Sequence, residues 1–301
     1  MLPRIRRHTA LVIGIAGLLA APGVARAATV TNGDFETGNL SGWTAENTDT
    51  GSFWLVYTGT LTPDLEWTVP APPQGTHAAV TEQENESREI LYQDVHLPAA
   101  ADAAQLSLFA YYVADGSPFV TPDNLNVDEE NEQYRIDVMR PTAPILSVAP
   151  GDILATVFRT LPADPPSLVP TLKTADLSAF AGQTVRIRLA VAVTDFELNA
   201  GADAVTVSTL TVGKPKLNKD AGTAKLPVTV TDPGTVTLSG KGVKRRSAGA
   251  DGTLKLLVKP KGKTRSKLDD SGRAKLKLTV TYTPTGSSPI SDKAKVKLKK
   301  G

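Results

Sequence analysis

Short apolar–polar alternations run along most of the chain, and helical periodicity is almost absent. In 134–140 (YRIDVMR) Arg135 and Asp137 fall on one face, Ile136 and Val138 on the other, the two-residue period of a half-buried strand. In 185–191 (VRIRLAV) Arg186 and Arg188 share a face in the same way. Apolar runs between turn signals predict further strands at 53–57, 76–81, 89–96, 105–113 and 204–212, with one short helical turn near 175–179. Beyond 213 the alternation becomes stricter. Lys alternates with Leu or Val in 224–230, 252–260, 274–282 and 294–298, and 234–240 (GTVTLSG) adds another apolar-alternating run. Gly and Pro turns separate these segments, so the chain reads as all-β, with antiparallel sandwiches, the last of them small and Ig-like.

The N-terminus breaks the pattern. Arg4, Arg6 and Arg7 precede the apolar 11–21, and Ala25-Arg26-Ala27 follows. That order predicts a secretory signal peptide at 1–27 and a mature chain from Ala28. No later apolar run reaches the ~18 residues of a membrane span, so no transmembrane segment is expected after it. The expected location is extracellular, at the cell surface or free. Cys is absent; thiol catalysis, Cys-ligated zinc and disulfides are thereby excluded. The mature length suggests about two domains, each able to bury its own core.

Charge divides the chain near Gly213. Residues 28–213 hold 7 Lys and Arg against 25 Asp and Glu, a net of −18. Residues 214–301 hold 22 against 6, a net of +16. Such asymmetry predicts two modules with different partners, 28–213 and 214–301. The basic part has Tyr282 as its single aromatic residue, which argues against base stacking and therefore against specific nucleic-acid recognition.

One ordered set of motifs points further. The mature chain opens with NGDFETGNLSGW at 32–43. PQGTHAAV follows at 73–80, LYQDVHLP at 91–98, LSLFAYY at 106–112, FAGQTVRIR at 180–188 and NAGADAV at 199–205. In this order the motifs resemble the galactose-binding-like jelly rolls of the carbohydrate-binding-module superfamily, across about 28–213. The resemblance implies an antiparallel jelly-roll sandwich and non-catalytic carbohydrate binding. It also implies a structural Ca²⁺ held by Glu36, Asp203 and the backbone carbonyl of His77, hard oxygen donors that suit calcium. Such relatives often carry two adjacent acids in the last motif, whereas here Asp203 precedes Ala204. Phe35 and Trp43 are read as core plugs.

Sugar contacts need aromatic faces beside planar polar groups. The candidates are Trp67, in a Pro-rich loop beside Asp64 and Glu66, together with Trp54 and Tyr111. Alternation puts one face of 53–57 and one of Tyr111 and Tyr112 into the core. Asp94 and His96 share a strand face, but no G-x-S-x-G elbow accompanies them; the chain is read as no enzyme. Of the acidic stretches, 82–89 reads as a solvated loop and 123–132 as the same, with a second cation site as its alternative although the EF-hand spacing is absent.

The basic part resembles the Lys-rich modules that end many secreted proteins of high-GC Gram-positive bacteria. Its lysines have three readings: solvent-face Lys that keeps a β-domain from aggregating, an anchor for an anionic cell-wall polymer, or docking on the acidic part. The reading that follows is a secreted protein binding an extracellular glycan. Two others stand beside it: a structural or adhesive envelope protein without sugar binding, and an accessory module of a polysaccharide hydrolase.

Overall fold

The computed structural model describes residues 29–47, 52–63, 67–83, 86–116, 118–195 and 197–301. The expected signal peptide at 1–27 lies outside the described residues.

The chain is all-β. Five antiparallel strands form one sheet: β1 (Thr44–Asn47), β4 (Ser87–His96), β9 (Thr184–Val193), β6 (Glu132–Met139) and β7 (Ile153–Arg159), in that spatial order. The facing sheet is organised by β10 (Leu198–Val212), which pairs with β3 (Ala78–Glu82) and β5 (Ala103–Ala114). Outside these lie β2 (Phe53–Tyr57), bonded to β3, and β8 (Ser167–Asp176), bonded to β5. The two-residue period builds the core between the sheets. Tyr134, Ile136 and Val138 of β6 and Val185, Ile187, Leu189 and Val191 of β9 share one buried cluster with Leu106, Leu108 and Tyr112 of β5. Burial of this apolar area is the main favourable term in the fold.

The outer face of the first sheet is partly roofed by the chain's own loops. Ile90, Ala190 and Ala192 pack against Leu125, with Val127, Ile145, Leu146 and Val148 over them. Beside this patch lies a buried ionic cluster. Asp137 accepts from Arg135 Nε (2.7 Å) and from Arg188 Nη2 (2.6 Å). Arg188 also donates to the carbonyls of Ile145 and Ser147, pinning the 141–150 loop. Burial lowers the Arg188 pKa, and the Asp137 carboxylate opposes that shift.

The C-terminal strands continue from the same sheet. Leu210–Val212 at the end of β10 pair with Val230–Val228 of β12 (Thr223–Ser239). β12 in turn bonds β11 (Lys216–Asn218), β13 (Arg246–Val258) and β14 (Arg273–Pro284), and β14 bonds β15 (Ile290–Lys299). A second core cluster fills this part, and it takes in Ala103 and Leu210 from the first sandwich. Asp232 ties the junction: its side chain accepts from Ser208 Oγ (2.8 Å) and its carbonyl from Tyr282 Oη (2.5 Å).

Several elements differ from the pattern-based expectation. The runs 224–230 and 234–240 are one strand, because Pro233-Gly234 forms a register shift instead of a turn. β1, β7 and β8 stand where no strand was expected. A helix, α1 (Gly262–Ser271), interrupts the C-terminal strands and is closed by Gly272 in the left-handed region (φ 64°). The helical turn expected at 175–179 appears as a short 3-10 turn at Ser178–Phe180.

Candidate functional site

The opening motif folds into a pinned loop. Asn32 adopts a left-handed conformation (φ 50°), and its amide donates to the carbonyls of Asn39 (2.7 Å) and Ser41 (3.2 Å). Phe35 and Trp43 are buried and stack with centroids 5.6 Å apart, the core plugs the sequence suggested. Trp43 Nε1 donates to the Asn32 carbonyl (3.0 Å), and Gln93 of β4 latches the loop through Thr31 and Gly42. The Val205 N–H donates to the Gly33 carbonyl at 2.8 Å. A Cβ on residue 33 would sit 2.0 Å from the Val205 carbonyl oxygen, so this approach requires glycine.

Glu36 and Asp203 then grip one turn from two sides. Glu36 Oε1 accepts the N–H groups of Thr76 (2.7 Å) and His77 (2.9 Å), and Oε2 accepts from Thr76 Oγ1 (2.9 Å). Asp203 Oδ2 accepts the Gln74 N–H (3.0 Å), and Oδ1 that of Ala204 (2.5 Å). The 73–77 turn is therefore clasped between the first motif and the last strand of the sandwich. The His77 and Thr76 N–H groups, then the Thr76 hydroxyl, hold the Glu36 carboxyl down at about 2. Burial pushes the Asp203 carboxyl up to about 7; the Ala204 and Gln74 N–H groups oppose this, and the carboxylates of Glu36 and Asp34 add to it.

The resemblance assigned these oxygens to calcium, together with the His77 carbonyl. In this arrangement the Glu36 carboxylate accepts from the Thr76 and His77 N–H groups and the Thr76 hydroxyl, and the Asp203 carboxylate from the Gln74 and Ala204 N–H groups. Among the described residues, no group of three His, Cys, Asp or Glu is gathered closely enough to hold a metal ion. Both carboxylates are engaged by backbone amides in this arrangement.

Two of the expected sugar contacts lie in the interior. Trp54 is buried against Tyr134 (centroids 6.4 Å apart), because the inward-facing positions of β2 are the even-numbered ones. Tyr111 is fully buried with Tyr57, Val69, Ala78 and Val80. Its hydroxyl lies 2.8 Å from that of Tyr57 and donates to the Ala79 carbonyl (3.1 Å). Burial raises the Tyr111 pKa well above its usual value. Neither residue offers a face to an external ligand. Trp67 is partly exposed on a narrow hairpin, where Thr62 N–H donates to its carbonyl at 3.0 Å; Asp64 and Glu66 beside it lie outside the described residues. The other leg of that hairpin, with Thr58, Thr60 and Thr62, borders a groove of about 490 Å³ that His77 and Gly38 close at the clasp end.

A second surface combines an aromatic ring with planar polar groups. Register places Tyr92 of β4 beside Thr44 of β1 and Arg188 of β9, and places Asp94 beside Arg186. Arg186 meets the Asp94 carboxylate with two parallel bonds, Nε to Oδ1 (2.7 Å) and an Nη to Oδ2 (3.0 Å). Its guanidinium carbon lies 4.4 Å from the centroid of the partly exposed Tyr92 ring, and the Tyr92 hydroxyl donates to Glu46 (3.2 Å). The Asp94 hydrogen bond holds the Arg186 pKa above its usual value. His96, next on this face, pairs with Thr184 Oγ1 (3.3 Å). Asp94 thus serves Arg186 and does not orient His96 as a base. The two alternations behind this surface were visible in the sequence, but the adjacency of β4 and β9 was not.

No protein-family model and no curated protein matches the chain. Solved structures give distant likenesses. TmCBM61 in complex with beta-1,4-galactotriose is 13% identical with a TM-score of 0.35, over 60% of this chain and 98% of that one. A cleaved adhesin domain of Lys-gingipain from Porphyromonas gingivalis is 17% identical with a TM-score of 0.37, over 60% and 99%. The adhesin domain of Epf from Streptococcus pyogenes is 11% identical with a TM-score of 0.28, over 92% and 97%.

Proposed function

We propose that the chain is an exported, non-catalytic glycan-binding protein whose ligand lies on the outer face of the first sheet, at Tyr92, Asp94 and Arg186. The observation that carries this reading is the Asp94–Arg186 fork held beside the Tyr92 ring. A sugar presents apolar C–H faces and paired hydroxyls. A rigid planar ion pair stacked on an aromatic ring meets the paired hydroxyls, and preorganisation spares the entropy of ordering it. The expected signal peptide supports export. The non-catalytic reading is supported by Asp94 bonding Arg186 and His96 bonding Thr184, so that the two do not act as a pair.

A glycan array probed with the mature chain tests this. The expected result is a saturable class of hits that weakens about tenfold or more in Tyr92→Ala, as for loss of an aromatic contact. Hits that survive in Tyr92→Ala and Arg186→Ala but vanish in Trp67→Ala would move the ligand to the hairpin leg that carries Trp67. An array without hits would sink glycan binding altogether. The second reading, a structural or adhesive envelope protein, is favoured by one observation: much of this outer face is already covered by the chain's own loops.

A further inference from the structure

The C-terminal strands carry a charge arrangement that solubility does not require. In the β14–β15 register Arg273 stands opposite Lys299, Lys275 opposite Lys297, and Lys277 opposite Lys295. All six are exposed on one face. Directly opposed side chains in an antiparallel pair have Cβ atoms about 5 Å apart, where like charges repel. Residues two apart along a strand are separated by about 7 Å. The result is a ladder of two cationic rails, and no carboxylate stands on that face of either strand. Among the described residues, none of the six takes part in an ion pair. Lysine at sheet edges does discourage aggregation, but that purpose is served without opposing the charges. The same two strands show the alternative: two positions beyond Lys293, Thr281 and Ser291 fill this face with hydroxyls 2.9 Å apart.

The ladder opens at one end into a groove of about 720 Å³ beside α1, where Lys263 and Lys267 join Arg273, Lys275, Lys297 and Lys299. Every charged side chain lining it is cationic. We propose that this face and groove form a binding track for a linear, phosphate-bearing polymer whose charges repeat along its backbone. Regular spacing along the rails favours a repeating polyanion over a folded acidic surface. The strand carboxylates exposed on the first sheet, Glu46 and Asp94, already have partners in Tyr92 and Arg186. The face carries no aromatic side chain, so recognition would rest on backbone charge and not on stacked bases. This inference does not depend on the glycan reading of the first sandwich.

The test is titration of the mature chain with inorganic polyphosphate, against orthophosphate at equal phosphorus, over a range of salt. Polyphosphate is expected to bind, with log affinity falling against log salt at a slope of roughly four, at about 0.7 per phosphate neutralised by six cations. Lys297→Glu is expected to weaken binding by on the order of tenfold or more, since a reversal changes two charges next to the polymer. The same variant places opposite charges across the rung, so its melting temperature should rise, which separates lost binding from lost folding. Three results would overturn the proposal. Polyphosphate could bind no better than orthophosphate. Lys297→Glu, and Lys275→Ser with Lys297→Ser, could bind it unchanged. Or the unliganded chain could self-associate at low salt in a way that Lys297→Glu abolishes, which would give the track to the acidic part of a second copy.

Discussion

The two charged regions use their charges in opposite ways. In the first sandwich the net charge is strongly negative, yet its cations are placed where they fasten something. Arg186 meets Asp94, and Arg135 and Arg188 converge on Asp137. In the C-terminal strands lysines and an arginine face one another across three consecutive rungs. One ion-paired group relieves this, with Arg265 and Lys300 both on Asp269. Net charge alone would have described both regions as solvated surface. Pairing geometry separates charges that hold the fold together from charges that face their own kind.

The largest effect should come from breaking the matched side. Asp137→Ala would leave Arg135 and Arg188 buried without a counter-ion, at a cost of about 3–5 kcal/mol. Urea unfolding reads this directly. A loss below about 1 kcal/mol, the range of an exposed pair, would mean that the buried cluster is not what fastens the loop at 141–150.

Next is the clasp. Asp203 has a folded-state pKa of about 7 against an ordinary value of 3.8. A raised pKa means that the folded state favours the protonated form, so the contribution is full below about pH 4 and is lost as the pH rises to about 7. Glu36 has the opposite sign. Its pKa is lowered to about 2 from 4.5, so its contribution is present above pH 4.5 and lost as the pH falls through 2. Stability of chelated protein should therefore decline from about pH 4 to 7, by up to a few kcal/mol at about 1.4 kcal/mol per pKa unit. Asp203→Asn should remove that decline. A calcium ion at the clasp would favour ionised Asp203 and flatten the profile. If added calcium changes neither the slope nor the melting temperature, the calcium expected from the motif does not bind there.

Much of this was legible in the residues, for physical reasons that can be named. Tyr134, Ile136 and Val138, and likewise Val185 and Ile187, alternate with polar neighbours, and burial on one face forces a two-residue period. Phe35 and Trp43 were legible as plugs because large aromatics in a turn have few other uses. The faces of Trp54 and Tyr111 were not legible. Trp54 packs toward the facing sheet, while Tyr57 and Tyr111 on the other side are buried with Val69, and local alternation carries no record of such a distant contact. Helix α1 was missed because Leu268 is its one buried residue, leaving no 3.6-residue stripe. Pro233-Gly234 looked like a turn, since the same residues serve a bulge. The clasp was half visible: Glu36 and Asp203 were singled out, but their partners are N–H groups, which every sequence has everywhere.

A smaller effect probes how tightly the clasp is fitted. Gly75 has φ +64°, and a Cβ there would sit 2.1 Å from Glu36 Oε1. Gly59 has φ +77° with open space around it. Gly75→Ala should cost about 1–3 kcal/mol, the strain of the left-handed conformation plus displacement of the carboxylate. Gly59→Ala should cost about 1 kcal/mol, from conformation alone. Equal losses at the two positions would show that the Glu36 contact adds nothing to the closure of the sandwich.

The smallest effect carries the sharpest sign. Replacing a charge in a solvated sheet by its opposite should be near neutral if that charge has no neighbour of consequence. On the β14–β15 ladder it should be stabilising, because the repulsion between Lys275 and Lys297 is replaced by attraction across the same rung. Lys297→Glu should therefore raise stability by about 0.2–1 kcal/mol at low salt, with the gain shrinking as salt screens exposed charges over about 10 Å at 0.1 M. The reversal Asp94→Lys on the first sheet should do the opposite, since it sets a second cation against Arg186. If both reversals destabilise, or neither responds to salt, the contrast between matched and opposed charges fails as an account of what the two regions are for. A gain at 297 and a loss at 94, both fading with salt, would mean that the native chain keeps a repulsion it could shed by a single substitution. A bound polyanion would supply the counter-charge which that rung lacks.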